Sequence, residues 1–87
     1  MRNIEFTPKS FEEFQQWVET DKKMAIRIGD LIRDSIRDPF KGIGKPEPLR
    51  YDFAGFWSRR IDDEHRLVYK VTPTAIVIFS CHSHYNK

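Results

Sequence analysis

Residues 56–81 read FWSRRI-DDE-HRLVYKV-TPT-AIVIFSC, and this stretch decides the fold class. Three runs rich in β-branched and aromatic residues alternate with two short turns, Asp62-Asp63-Glu64 and Thr72-Pro73-Thr74. Such runs bounded by turn residues predict strands at Phe56–Ile61, His65–Val71 and Ala75–Cys81. Turns this short join antiparallel neighbours. Upstream, Leu49 to Phe53 predicts one more strand, with Ala54-Gly55 reversing the chain. The C-terminal half is therefore expected to be a four-strand antiparallel meander.

The N-terminal half has a different period. Asn3 to Thr7 predicts a short strand with Ile4 and Phe6 on one side. Two helix-start signals follow it. Thr7-Pro8 places proline where a first helical turn tolerates it, and Ser10 with Glu13 fits a capping box; the sequence does not choose between them. Phe11, Phe14 and Val18 then recur on one helical face. Thr20-Asp21 breaks that helix and supplies the next N-cap. Met24, Ile28, Leu31, Ile32 and Ile36 give a second apolar stripe. Asp38-Pro39 ends it, because a residue before proline avoids helical geometry. The expected class is α+β: an N-terminal strand, a helical hairpin and the meander, in one twisted sheet with the helices on one face.

At 87 residues the chain has room for one core, so a single domain spanning 1–87 is expected. The composition, 39% hydrophobic and 32% charged, is that of an ordinary folded protein. The longest apolar run, Ala75 to Phe79, is far too short for a membrane span, and the first twenty residues hold no signal-like stretch. The lone Cys81 has no disulfide partner and sits in an apolar run, which suits a reducing compartment and a core position. A cytoplasmic location with no membrane partner is the expectation. The net charge of +2 conceals an asymmetry: residues 1–40 hold seven Lys/Arg against eight Asp/Glu, and residues 41–87 eight against five. The basic excess accompanies the aromatics of the C-terminal half, a combination that suits a nucleic-acid surface.

Few chemistries fit the remaining polar residues. Cys81, His82 and His84 are close in sequence, but they alternate across a strand and nothing nearby completes a metal tetrahedron. No phosphate-binding glycine loop and no nucleophile elbow is present. One further constellation suits phosphodiester cleavage of RNA, beside the plainer readings of a solvated Glu47, arginines balancing the acidic turn at 62–64 and an inert His84. RNA carries its own nucleophile, the 2′-hydroxyl, so the protein needs a base, an acid and cations for the developing charge, and no cofactor. Glu47 stands between prolines in Lys45-Pro46-Glu47-Pro48, which fixes the backbone around a carboxylate. Arg60 and Arg66 fall on adjacent predicted strands. His84 is the natural acid, since an unperturbed histidine titrates near ~6.5. An unperturbed glutamate titrates near ~4.3, so Glu47 as base requires a shifted environment or strong preorganisation.

Lys45-Pro46-Glu47-Pro48-Leu49, Gly55-Phe56-Trp57-Ser58-Arg59-Arg60-Ile61, Glu64-His65-Arg66-Leu67-Val68-Tyr69 and His84-Tyr85 occur in an order and spacing that closely resemble the YoeB family, toxins of the RelE superfamily. Trp17 to Lys22 and Asp38-Pro39-Phe40 extend the resemblance to essentially the whole chain. It implies a small microbial-RNase-like fold. It also implies a metal-independent, ribosome-dependent endoribonuclease that cuts mRNA in the ribosomal A site and leaves a 2′,3′-cyclic phosphate. By position, Glu47 would be the general base, His84 the general acid, Arg66 the phosphate-stabilising cation and Tyr85 a shaping or stacking residue. Lys45, Arg60 and Arg59 would bind the substrate.

The implied partners are a YefM-type antitoxin, the bacterial ribosome with its mRNA, operator DNA only through the antitoxin complex, and a second copy in a homodimer. Family members commonly finish near the His-Tyr pair, whereas Asn86 and Lys87 follow it here, and His82 precedes His84 by two. Two other readings belong beside the leading one: a non-catalytic module that docks to RNA or antitoxin, and a nuclease active on free RNA.

Overall fold

The computed structural model describes residues 1–82. Among these, the order is β1 (Asn3–Phe6), α1 (Pro8–Thr20), α2 (Lys22–Arg37), β2 (Glu47–Pro48), β3 (Phe56–Arg60), β4 (Arg66–Val71) and β5 (Ala75–Ser80). The strands form one sheet in the order β1-β5-β4-β3-β2. β2 to β5 make the expected antiparallel meander. β1 pairs with β5 in parallel, Asn3 opposite Ala75 and Phe6 opposite Ile78, so the sheet is mixed. A parallel pair needs a long connection, and here both helices and the meander lie between the two strands.

Both helix boundaries follow local chemistry. Thr7 caps α1: its hydroxyl accepts from the Ser10 N–H at 3.0 Å, with Pro8 as the first helical residue. The alternative capping box is put to other uses. Ser10 is buried and its hydroxyl donates to the Ile78 carbonyl at 2.7 Å, tying α1 to β5. Asp21 caps α2 by accepting from Met24 N–H, and Asp38 closes it ahead of Pro39.

The segment Leu49 to Phe53 departs from expectation. The ladder forms at Glu47–Pro48, and Tyr51–Phe53 is a single 3₁₀ turn. The register sets the limit: Pro48 faces Trp57, so the chain must reverse between them. Leu49 still donates to the Phe56 carbonyl at 2.9 Å; beyond it, Tyr51 at φ 60° and Gly55 at φ 92° spend the remaining residues on the turn. The alternation Leu49, Tyr51, Phe53 imitates a strand, but only Leu49 continues the bonding to β3 before the 3₁₀ turn.

The helices cover one face of the sheet. Ile28 and Leu31 of α2 pack with Leu67, Tyr69, Ile76 and Ile78, all fully buried. Each such side chain contributes roughly 1.5–3 kcal/mol when removed from water. Cys81 belongs to the same core, and burial together with the nearby Glu13 charge pushes its thiol up to about 12. A bulge at Val68/Tyr69 shifts the β4–β5 register. No described helix is long and apolar enough to cross a membrane.

Candidate active site

Strand alternation sorts the polar residues of the meander onto two faces. Arg59 and Tyr69 point to the helices. Phe56, Ser58 and Arg60 of β3, with Arg66, Val68 and Lys70 of β4, point the other way. The register aligns them: Glu47 opposite Ser58, Ser58 opposite Val68, Arg60 opposite Arg66, and Phe56 opposite Lys70. The face away from the helices thus carries Glu47, Arg60, Arg66 and Lys70. It also carries the Phe56 ring, 5.2 Å from Phe79 and with the Lys70 ammonium 5.7 Å from its centroid.

Glu47 and Arg66 meet on this face. Glu47 Oε2 lies 3.9 Å from Arg66 Nη1, with side chains 62% and 27% exposed. At that distance the pair is an ion pair without a hydrogen bond. Both groups keep hydrogen-bonding capacity toward solvent. Arg60 is exposed beside them, and Lys45 is exposed two residues before Glu47.

The loop that presents Glu47 is held from beneath. Arg60 N–H donates to the Gly44 carbonyl at 2.6 Å. Gly44 has φ 79°, and a Cβ there would approach Leu31 Cδ2 to 2.7 Å, so this crossing of loop over helix requires glycine. Lys45 follows with φ 52°, an uncommon value for a side-chain-bearing residue, immediately before Pro46.

Arg59 is a correction to the expected substrate-binding set. It is 0% exposed, on the helix side, and all five of its N–H donors are committed. Nε donates to Tyr69 Oη at 2.9 Å; Nη1 to Asp34 Oδ2 at 2.6 Å and the Ile43 carbonyl at 3.2 Å; Nη2 to the Asp38 carbonyl at 2.7 Å and the Lys41 carbonyl at 3.2 Å. Tyr69 in turn donates to the Pro39 carbonyl at 2.7 Å. Neighbouring arginines on a strand take opposite faces, so Arg59 stitches the 38–43 loop to the sheet while Arg60 is free for a ligand. Burial acts to raise the Asp34 carboxyl, but hydrogen bonds from Arg59, the Ile43 N–H and Arg37 outweigh it and hold it below the usual carboxylate range. Asp34 carried no sequence signal beyond helical spacing on α2.

His84 and Tyr85 lie outside the described residues. The chain leading to them is anchored on α1: Glu13 Oε1 accepts from Cys81 N–H at 2.8 Å, and Trp17 Nε1 donates to the Cys81 carbonyl at 2.8 Å. His82 stacks on Trp17 with centroids 5.0 Å apart, and His65 meets the Trp17 ring edge-on at 4.9 Å. Among the described residues, no three of His, Cys, Asp and Glu cluster as metal ligands would.

Comparison with known proteins gives the family. The family model described as "YoeB-like toxin of bacterial type II toxin-antitoxin system" matches residues 6–85. Toxin YoeB of Streptomyces coelicolor is 55% identical over 82 residues, covering 94% of this chain and 98% of the relative. A solved YoeB dimer from Staphylococcus aureus superposes with a TM-score of 0.90 at 45% identity, covering 97% of this chain and 98% of the other. A YoeB–YefM complex from the same organism gives 0.89 at 43% identity, covering 98% and 99%. With a match of this extent in sequence and in fold, the chain belongs to the YoeB-like toxins of bacterial type II toxin–antitoxin systems.

Proposed function

We propose that this toxin is a metal-independent endoribonuclease that cuts mRNA in the ribosomal A site and so arrests translation. The observation that carries the reading is the Glu47–Arg66 pair, a carboxylate and a guanidinium 3.9 Å apart and both reached by solvent. Arg60 and Lys70 add positive charge to the same sheet face and Phe56 adds an aromatic surface.

The chemistry needs only these residue types and the C-terminal histidine. Glu47 takes the proton of the ribose 2′-hydroxyl as its oxygen attacks the adjacent phosphorus. Arg66, helped by Arg60, offsets the negative charge that grows on the non-bridging oxygens. His84 gives a proton to the departing 5′-oxygen, and the products are a 2′,3′-cyclic phosphate and a 5′-hydroxyl. Tyr85 shapes or stacks in the site, and Lys45 neutralises substrate phosphate. General acid–base help of this kind contributes ~10²–10⁴-fold. A ribosome supplies what a half-open face lacks, a substrate held in one geometry.

The S. aureus relative is solved with YefM. We extend that partnership to this chain: an antitoxin of the same type, acidic and folding on binding, suits a basic aromatic face. The dimeric relative supports a homodimer as a second assembly.

The test is 5′-end mapping of mRNA incubated with programmed ribosomes. Wild type should produce defined A-site ends; Glu47→Ala and His84→Ala should each lose most of them. Full cleavage by both variants removes the acid–base assignment. Growth arrest that survives the double substitution transfers the function to a non-catalytic docking module, and equal cleavage of naked RNA removes the ribosome requirement.

A further inference from the structure

Ser58 stands out on the face just described. It is 1% exposed, and its hydroxyl finds no hydrogen-bond partner among the described residues. A buried hydroxyl left unpaired costs free energy that alanine at the same place would not. One reason for retaining such a group in a packed strand is a partner engaged in another state of the protein. The register supplies the candidate, since Ser58 is directly opposite Glu47 in the β2–β3 ladder. Directly opposed residues project to the same side with Cβ atoms about 4.5–5.5 Å apart, within reach of a side-chain hydrogen bond. On its other flank Ser58 faces Val68, which offers no polar group. Glu47 meanwhile extends toward Arg66 and solvent.

We propose that Ser58 is a positioning residue for Glu47. When substrate phosphate occupies Arg66, the Glu47 carboxylate is displaced from that cation. It then accepts a hydrogen bond from Ser58 Oγ on one oxygen, leaving the other to take the 2′-hydroxyl proton. The serine fixes which oxygen reacts and in what direction; it neither bonds the substrate nor moves a proton. This rests on Glu47 being the general base.

The experiment compares wild type, Ser58→Ala, Ser58→Thr and Glu47→Ala on mRNA programmed into ribosomes, with single-turnover rates measured against pH and thermal midpoints recorded alongside. Ser58→Ala should slow the bound-complex rate roughly ten- to hundredfold, the scale of one hydrogen bond to a charged group. Its thermal midpoint should be unchanged or higher, because an unpaired buried hydroxyl has been removed. A donor favours the charged carboxylate, so its loss should move the acid limb of the rate profile to higher pH. Ser58→Thr keeps a donor and should restore both rate and profile. Wild-type rate and profile in Ser58→Ala, or identical behaviour of the alanine and threonine variants, would overturn the proposal. If Glu47→Ala is inactive in that experiment, the failure is confined to Ser58; if Glu47→Ala is active, the base assignment itself fails.

Discussion

Arg59 Nη1 donates to Asp34 Oδ2 across 2.6 Å, and this bond joins the second helix to β3, the strand paired with Glu47–Pro48. Arg59 is sealed from solvent and its remaining donors hold three loop carbonyls and the Tyr69 hydroxyl. Breaking a buried pair strands one charge, which costs about 3–5 kcal/mol. Arg59→Lys keeps the charge but should still destabilise, since an ammonium has three donors for five contacts and lacks the planar fork. Chemical denaturation checks it. A stability within 1 kcal/mol of wild type, together with lost RNA binding, would return Arg59 to the substrate-binding set.

The same carboxylate makes stability pH-dependent. The Asp34 carboxyl is held below its ordinary value in the folded chain. Its contribution is present above the unfolded value of about 3.9 and is lost as pH falls through the lower folded value. Asp62 is lowered as well: burial acts to raise it, but the His65 and Glu64 backbone N–H groups prevail, so it adds to the same acid slope. Asp34→Asn should be less stable at pH 7 and show a shallower fall of stability below pH 4. Parallel stability curves for the two proteins would contradict this linkage.

How far the sequence spoke depended on whether a residue's role was periodic or relational. The strands of residues 56–80 and both helices followed from alternation and helical stripes, and each lies within a residue or two of its expected bounds. Leu49 to Phe53 misled because period two persists through a segment that leaves the ladder after Leu49 and closes a 3₁₀ turn. Arg60 and Arg66 were legible on adjacent strands, whereas Glu47, in its proline-flanked segment two strands from Arg66, was grouped with them only by the motifs of the resemblance. The split between Arg59 and Arg60 was not legible, although alternation required one of them to face inward; which one depends on Asp34, twenty-five residues away. Ser58 gave no signal, because an unpaired hydroxyl is visible only once its surroundings are built.

Cys81 provides a check on burial. Its thiol is enclosed and pushed up to about 12, and the thiolate is the reactive form. The native protein should resist iodoacetamide at pH 8, whereas the same protein in denaturant should alkylate readily. Mass spectrometry reads the difference. Equal modification rates in the two states would mean that the end of β5 opens freely.

Arg60 and Arg66 should contribute to substrate association as phosphate contacts. Each contact removed reduces the slope of log affinity against log salt by about 0.7–0.9. Binding of Arg60→Ala and Arg66→Ala to programmed ribosomes, measured across salt concentrations, should show that loss for each while both proteins melt near the wild-type temperature. An unchanged slope for Arg66→Ala would mean that its guanidinium is not on a phosphate.

Cys81 ties the end of the described chain to α1. Both backbone polar groups of Cys81 are held by α1, its N–H by Glu13 and its carbonyl by the Trp17 indole, each at 2.8 Å. Three residues later comes the proposed general acid. A proton donor acts only within hydrogen-bond reach of the leaving oxygen, so an error of about 1 Å in its support can cost on the order of 10²-fold. Trp17→Phe keeps a six-membered ring beside His82 but deletes the indole donor and the fused five-membered ring that helps pack against the core. Its stability should fall by roughly 1–3 kcal/mol, one hydrogen bond plus the packing of the lost ring atoms. Its cleavage rate should fall further than that loss explains, through kcat, with substrate affinity kept. Glu13→Gln retains an acceptor for the Cys81 N–H and should remain close to wild type. If Trp17→Phe cleaves at the wild-type rate, the anchor at Cys81 serves the fold alone and the acid is positioned by something else.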